Sequence, residues 1–203
     1  MMLDDSLKAQ LRTHFGQLRH PVELVADLDD SARAGAIRDL LDQLAALGTG
    51  IARVDGAAAG GRRPAFAVRR AGSADGAVHF ACLPSGRQFT SLVLAVLQAG
   101  GLAPRLAPEL AARVAALEGE WTFETYIATD CFNCPDVVQA LNAMAALNPR
   151  IRHIAIDGAM FRAEAEGRDV RGVPMLFVDG AHFGQGRLGV EDVLARLEAG
   201  AGR

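Results

Sequence analysis

Cysteine is scarce in this chain, with three among 203 residues. A disulfide-stapled extracellular scaffold needs more, so an ordinary hydrophobic core must carry the fold. Charge of one sign is also missing. The formal net charge is −3, which advertises neither nucleic acid nor a membrane surface as a partner. Lys8 is the lone lysine, and the arginine-rich remainder reads as compositional bias. The longest apolar run, residues 91–97, is far short of the roughly 20 residues that a membrane helix requires. The start, Met1-Met2-Leu3-Asp4-Asp5-Ser6, has neither the basic nor the apolar stretch of a secretory signal. Few cysteines and no export signal point to the reducing cytoplasm. The glycine-rich stretch Gly56-Ala57-Ala58-Ala59-Gly60-Gly61 lacks the Gly-x-Gly-x-x-Gly spacing and the helix that should follow, so no flavin or nicotinamide site is expected on these residues.

What is present is concentrated in Cys131-Phe132-Asn133-Cys134. A strand-like run over 123–128 precedes it, and Pro135-Asp136-Val137-Val138 opens a helical pattern after it. Two thiols at that spacing on a helix start close into a small ring with little distortion. The unpaired N–H groups and partial positive charge of the helix end favour thiolate over thiol. Strand, Cys-x-x-Cys, helix is the thioredoxin-type redox arrangement, so Cys131 and Cys134 are the candidate catalytic residues. Half of a zinc site is the alternative, but tetrahedral zinc takes four N or S ligands. Cys82 and the scattered His14, His20, His79, His153 and His182 show no ligand spacing, so no metal site is expected. A purely structural clip is the weaker alternative, because so short a loop constrains the unfolded chain little.

The second half reads βαβαββα. Strands are expected over 123–128, 151–156, 173–178 and near His182, with helices from the cysteines to 147, over 160–166 and over 189–199. Asn148-Pro149 ends the first of these helices. The first half repeats the grammar, with strands over 22–28, 51–54 and 64–68, an edge strand over 79–82, and helices over 31–47 and 89–99. The fold class is therefore α/β, two fused thioredoxin-like folds, each a mixed sheet flanked by helices. The expected division is a first repeat over 1–101, a connecting helical segment over 102–120, a second repeat over 121–198 and the start of a linker over 199–203. A separate, unrelated first α/β domain is the alternative. Where the second repeat has its thiols, the first has Asp29-Asp30-Ser31-Ala32-Arg33. Asp30 or Ser31 there reads as a helix N-cap, and the repeat as scaffold without redox chemistry.

Around the thiols, Val173-Pro174 begins a buried-looking strand at the position where this fold sets a cis-proline beside the disulfide. Pro135 and apolar neighbours enclose Cys134 one turn inside the helix, whereas Cys131 stands at its exposed end and should be alkylated first. Phe132 brings no charge, which leaves the helix terminus and backbone donors to stabilise the Cys131 thiolate. Asn133 is placed to bond locally to the turn. Glu124 and Asp130 are acidic neighbours in sequence, and both are expected to be solvated. His153 and His182 read as surface or strand-end residues, since exchange with a resolving cysteine needs no general base.

These residues resemble a known family, the flavoprotein component of alkyl hydroperoxide reductase, in its N-terminal region. The resemblance is carried by Glu124-Thr125-Tyr126, by Cys131-x-Asn133-Cys134-Pro135-Asp136-Val137-Val138-Gln139-Ala140-Leu141-Asn142, by Leu147-Asn148-Pro149-Arg150-Ile151 and by Phe183-Gly184-Gln185-Gly186-Arg187. Pro21-Val22-Glu23-Leu24 and Phe89-Thr90-Ser91-Leu92 extend it over essentially the whole chain. It implies two fused thioredoxin-like folds, with thiols only in the second. It further implies a peroxiredoxin as electron acceptor and an NADH- and FAD-dependent flavoprotein core, not contained in these residues, as donor. Cys131 would be the attacking thiol and Cys134 the resolving one, supported by Phe132, Asn133, Pro135, Val173 and Pro174. Glu124 and Gln88 would be candidates for a second layer. Members of the family usually carry His at the position of Phe132 and an acidic residue at that of Gln88. Cys82 has no counterpart and reads as a small buried apolar residue. A stand-alone disulfide reductase and a non-catalytic docking module are the alternatives. A glutathione-dependent enzyme would need a basic groove, for which Arg171 is the one candidate.

Overall fold

The computed structural model describes residues 3–73 and 78–200; residues 201–203, the end of the expected linker, lie outside them. Strands β1 (Val22–Asp27), β2 (Ile51–Asp55), β3 (Ala65–Arg70) and β4 (Val78–Ala81) come from the first half. Strands β5 (Trp121–Ile127), β6 (Ile151–Asp157), β7 (Met175–Val178) and β8 (Ala181–Gln185) come from the second. All eight form one sheet in the order β2-β1-β3-β4-β6-β5-β7-β8. In each half the first strand is parallel to the second and antiparallel to the third, and the fourth returns antiparallel to the third. The halves are therefore two thioredoxin-like folds, fused where β4 runs parallel to β6 with Val78 opposite His153 and Ala81 opposite Ile156.

Helices α2 (Ala32–Ala45), α3 (Phe89–Ala99), α5 (Cys134–Leu147) and α7 (Val190–Glu198) share one face of the sheet. The apolar positions Ile37, Leu40, Leu41 and Leu44 of α2 recur at three- and four-residue steps and meet Leu24 and Phe66 of the sheet in one core. The same core contains Leu92 and Val96 of α3, and Val137 and Leu141 of α5. Each such side chain contributes about 1.5–3 kcal/mol when fully buried. Because α3 packs on α5, this core runs across the seam between the halves. The short α6 (Arg162–Gly167) covers the other face with Ala165 over Tyr126, Ile154, Met175 and Phe177.

Two expectations need correction, and one helix stands where no element was expected. The strand at 79–82 is not an edge. As β4 it lies in mid-sheet, and Val78, His79, Phe80 and Ala81 are all buried, the continuous burial that a strand flanked on both sides demands. The connecting segment is helical only over α4 (Pro108–Ala116), because Pro104 has no N–H to give and Pro108 is suited to a helix's first turn. A further helix, α1 (Asp5–Phe15), precedes β1. Leu3, Leu7, Leu11 and Phe15 recur every four residues, and the Asp4 carboxylate accepts the Leu7 N–H at 2.8 Å as the helix N-cap.

No helix among the described residues is long and apolar enough to cross a membrane.

Candidate active site

The thiols sit where β5 ends and α5 begins. Cys131 and Cys134 are joined as a disulfide with Cα atoms 5.5 Å apart. Cys134 is the first residue of α5 and is 0% exposed, closed in with Pro135, Val137 and Val138, whereas Cys131 is half-buried at the rim. The helix has no side-chain cap at Asn133. Instead the Cys134 N–H donates to Cys131 Sγ at 3.2 Å, so the outer sulfur takes one of the unpaired donors of the helix end. A thiolate at that position would accept the same bond with greater strength, because a hydrogen bond to a charged acceptor is the stronger kind. Asp136 in the first turn of α5 pairs with Arg187 at 2.8 Å.

The first half contributes directly to this site. Phe132 is 71% exposed and carries the Arg87 guanidinium 4.5 Å from its ring centroid. Arg87 belongs to the single turn Gly86–Gln88 that leads into α3. Its neighbour Gln88 is buried. Gln139 of α5 donates to Ser91 Oγ at 3.3 Å, and Ser91 donates to Gln88 Oε1 at 3.0 Å, so a polar chain links the thiol helix to α3. Gln88 Nε2 has no hydrogen-bond partner among the described residues.

Other residues around the motif stand as follows. Val173–Pro174 is a cis peptide, as is Arg63–Pro64 at the matching position of the first half. Pro174 is buried directly ahead of β7, and Val173 is half-buried. Asp130 is exposed, as expected. Glu124 departs from expectation. Side chains alternate along β5, so Phe123 and Thr125 face α5 while Glu124 and Tyr126 face α6. There Glu124, only 13% exposed, pairs with Arg168 at 2.6 Å and with Arg62 from the first half. Glu164 and Tyr126 complete the cluster; burial pushes the Glu164 carboxyl up, but hydrogen bonds from Arg62 and Tyr126 and the charges of Arg62 and Arg168 hold it below its usual range. Glu124 is thus an interior ion-pair partner on the far face of the sheet from the thiols.

His153 also departs. It is 0% exposed in mid-sheet on β6, with Nε2 2.9 Å from Thr125 Oγ1 and Nδ1 2.7 Å from Asn142 Oδ1 of α5. Burial, with His79 nearby, pushes its pKa down to about 3, so it is a neutral link between α5 and the sheet. His182 is exposed on β8 against Phe177. Cys82 is buried, and its thiol is driven far up by burial and by Asp157, which makes it inert. No cluster of three or more metal-ligating side chains occurs among the described residues. Arg87, Ser91 and Gln139 carried no signal in motif spacing. The nearest to one is a serine at 91 on the otherwise apolar inner face of α3.

No protein-family model matches the chain. It is 48% identical over 202 residues to the AhpF component of the alkyl hydroperoxide reductase of Pseudomonas putida, covering 99% of this chain and 38% of that protein. The chain thus spans little over a third of the relative's length. Among solved structures it superimposes with a TM-score of 0.87 on the N-terminal domain of alkylhydroperoxide reductase AhpF from Enterococcus faecalis, at 24% identity and over 97% of this chain and 100% of that one. A protein disulfide oxidoreductase of Aeropyrum pernix shares the fold at a TM-score of 0.79 and 20% identity, over 99% and 94% of the two chains. Along its whole length and in its fold, the chain corresponds to the N-terminal part of the AhpF component of alkyl hydroperoxide reductases.

Proposed function

We propose that this chain is a thiol–disulfide exchange unit that delivers two electrons to the disulfide of a peroxiredoxin. The observation that carries the reading is the Cys131–Cys134 disulfide at the start of α5, with one sulfur at the rim and the other enclosed. In the reduced chain, the Cys131 thiolate attacks one sulfur of the partner disulfide and expels the other as a thiolate, leaving a mixed disulfide. Cys134 loses its proton and attacks Cys131 Sγ. The second partner sulfur leaves as a thiolate, and the Cys131–Cys134 disulfide forms. Two electrons have moved, and the partner's two sulfurs finish as thiols after taking up protons. Phe132 and Asn133 shape the rim, Pro135 keeps Cys134 enclosed, and the peptide group of Val173 ahead of Pro174 aligns the incoming segment. Gln88 stands in a second layer behind the thiols.

Re-reduction is assigned to a flavoprotein core carrying FAD and NADH, in the same polypeptide or in trans, and the setting is the cytoplasm. The relatives' names and the 38% of their length that the chain spans support this division of labour. The chain itself is proposed to divide into a repeat over 1–101 without thiols at the redox position, a connector over 102–120 and the redox repeat over 121–198, with a linker from 199.

The test is NADH consumption with flavoprotein core, peroxiredoxin and peroxide present. The rate should rise with added chain and fall to background with Cys131→Ser. A Cys131→Ser chain that still supports turnover would remove the nucleophile assignment.

A further inference from the structure

The redox motif contributes no cation of its own, and its flanks are acidic. Asp130 precedes Cys131 and is exposed, with no ion-pair partner among the described residues. Asp136 follows in the first turn of α5, balanced by Arg187. Asp157 ends β6 with little exposure, and Arg171 ahead of Val173 is occupied by Asp169 at 2.7 Å. Glu124 lies on the opposite face, bound to Arg62 and Arg168. At this end of the sheet, Arg33 of α2 and Arg87 have no carboxylate partner among the described residues. Arg33 is spent on the Ala159 carbonyl at 3.3 Å, and Arg87 is parked over the ring of the residue next to Cys131.

Phe132 is otherwise a costly choice. It is the one exposed large hydrophobic side chain among the described residues, and it sits in the middle of the motif. A ring held under a guanidinium accounts for it, since such contacts stabilise by roughly 0.5–1 kcal/mol at exposed sites and fix where the charge stands. The turn Gly86–Gln88 is itself anchored, by buried Gln88 and its chain through Ser91 to Gln139 of α5. Arg87 is therefore held from both ends, by its backbone ahead of α3 and by its head on the motif.

We propose that Arg87, supplied by the first half and seated on Phe132, is the positioning cation that stabilises the Cys131 thiolate against Asp130. The inference deepens the redox reading and rests on it. Arg87 does not bond to sulfur. It acts through the field, in addition to the helix end, and it gives the first half a chemical part in a reaction for which it has no thiol at the redox position.

The experiment is the pH dependence of iodoacetamide labelling of Cys131 in the reduced chain, followed residue by residue by mass spectrometry. Arg87→Gln should raise the labelling midpoint by on the order of half a pH unit and slow labelling two- to threefold below it, the size expected of one cation near the surface that makes no bond to the sulfur. Phe132→Leu, which keeps an apolar side chain but removes the aromatic face, should shift the profile in the same direction. Arg87→Lys should recover part of the shift, and added salt should shrink the difference between wild type and Arg87→Gln. Superimposable profiles for wild type and Arg87→Gln overturn the proposal, as does an Arg87→Gln chain altered only in its KM for the peroxiredoxin, which would make Arg87 a docking contact. The redox reading fails separately, if wild-type Cys134 is labelled ahead of Cys131.

Discussion

Ser31 and Cys131 occupy the same station in two copies of one fold. Ser31 Oγ accepts the Ala34 N–H at 3.1 Å, and Cys131 Sγ accepts the Cys134 N–H at 3.2 Å. Ala34 and Cys134 are both fully buried, and each lies at the head of a helix of 14 residues. The helix end offers the same donors in both halves. In one a hydroxyl takes them as an N-cap, a stabilising role with no electron chemistry. In the other sulfur takes them, and the interaction that ends a helix also favours a thiolate. The first half places Arg87 over Phe132 and carries Gln88 in the same turn ahead of α3.

A second contrast runs along the sheet. Strands β4 and β6 form the seam, whereas their counterparts β8 and β2 are the outer edges. All four residues of β4 are buried, while β8 exposes Ala181, His182 and Gln185. In β6 only Arg152 is exposed, while β2 buries only Ile51. Equivalent strands thus differ because one member of each pair has a neighbour on both sides.

The sharpest way to break the first contrast is Cys134→Ala, which gives the second half the residue that the first has at Ala34. The fold should survive, turnover should drop to background, and a mixed disulfide between Cys131 and the peroxiredoxin should accumulate on a non-reducing gel. At the seam, Phe80 stacks on Phe66 with centroids 5.2 Å apart. Phe80→Ala should cost about 3–5 kcal/mol in urea unfolding, against within about 0.5 kcal/mol for His182→Ala on the outer edge.

His153 makes the seam sensitive to acid. Its folded-state pKa of about 3 lies below the ordinary 6.5, so the unfolded chain binds a proton first as the pH falls. The stability tied to neutral His153 is complete above 6.5 and is lost as pH drops from there toward 3, at about 1.4 kcal/mol per pH unit. His153→Gln should flatten this part of the stability profile, and equal slopes would contradict the assignment.

On the far face, Glu124→Gln leaves Arg62 and Arg168 short of a carboxylate and should cost about 1–2 kcal/mol. It should leave Cys131 labelling untouched, since the sheet stands between them. Smallest is Ser31→Ala, which removes an N-cap and should lower stability by about 1 kcal/mol with no change in exchange rate.

Much of this was legible along the chain because it is local. Cys131-x-x-Cys134 at the boundary of a strand and a helix announced the chemistry, and the matching order of elements announced the repeat. The cap at Ser31 and the period of α2 are properties of a few consecutive residues. What adjoins what across the sheet is not local. That 78–81 lies in mid-sheet follows from its pairing with β6, a contact between residues more than 70 positions apart. The same pairing buries His153, which a strand end would have left wet. The side of β5 that faces α5 decided that Glu124 belongs to Arg62 and Arg168 and not to the thiols. Arg87 is the plainest case. Sequence alone determined that Phe132 brings no charge to the motif, whereas the tertiary packing of α3 on α5 decided that a charge from the other half sits there, because proximity between distant segments is set by the shared core and leaves no mark in the spacing of residues.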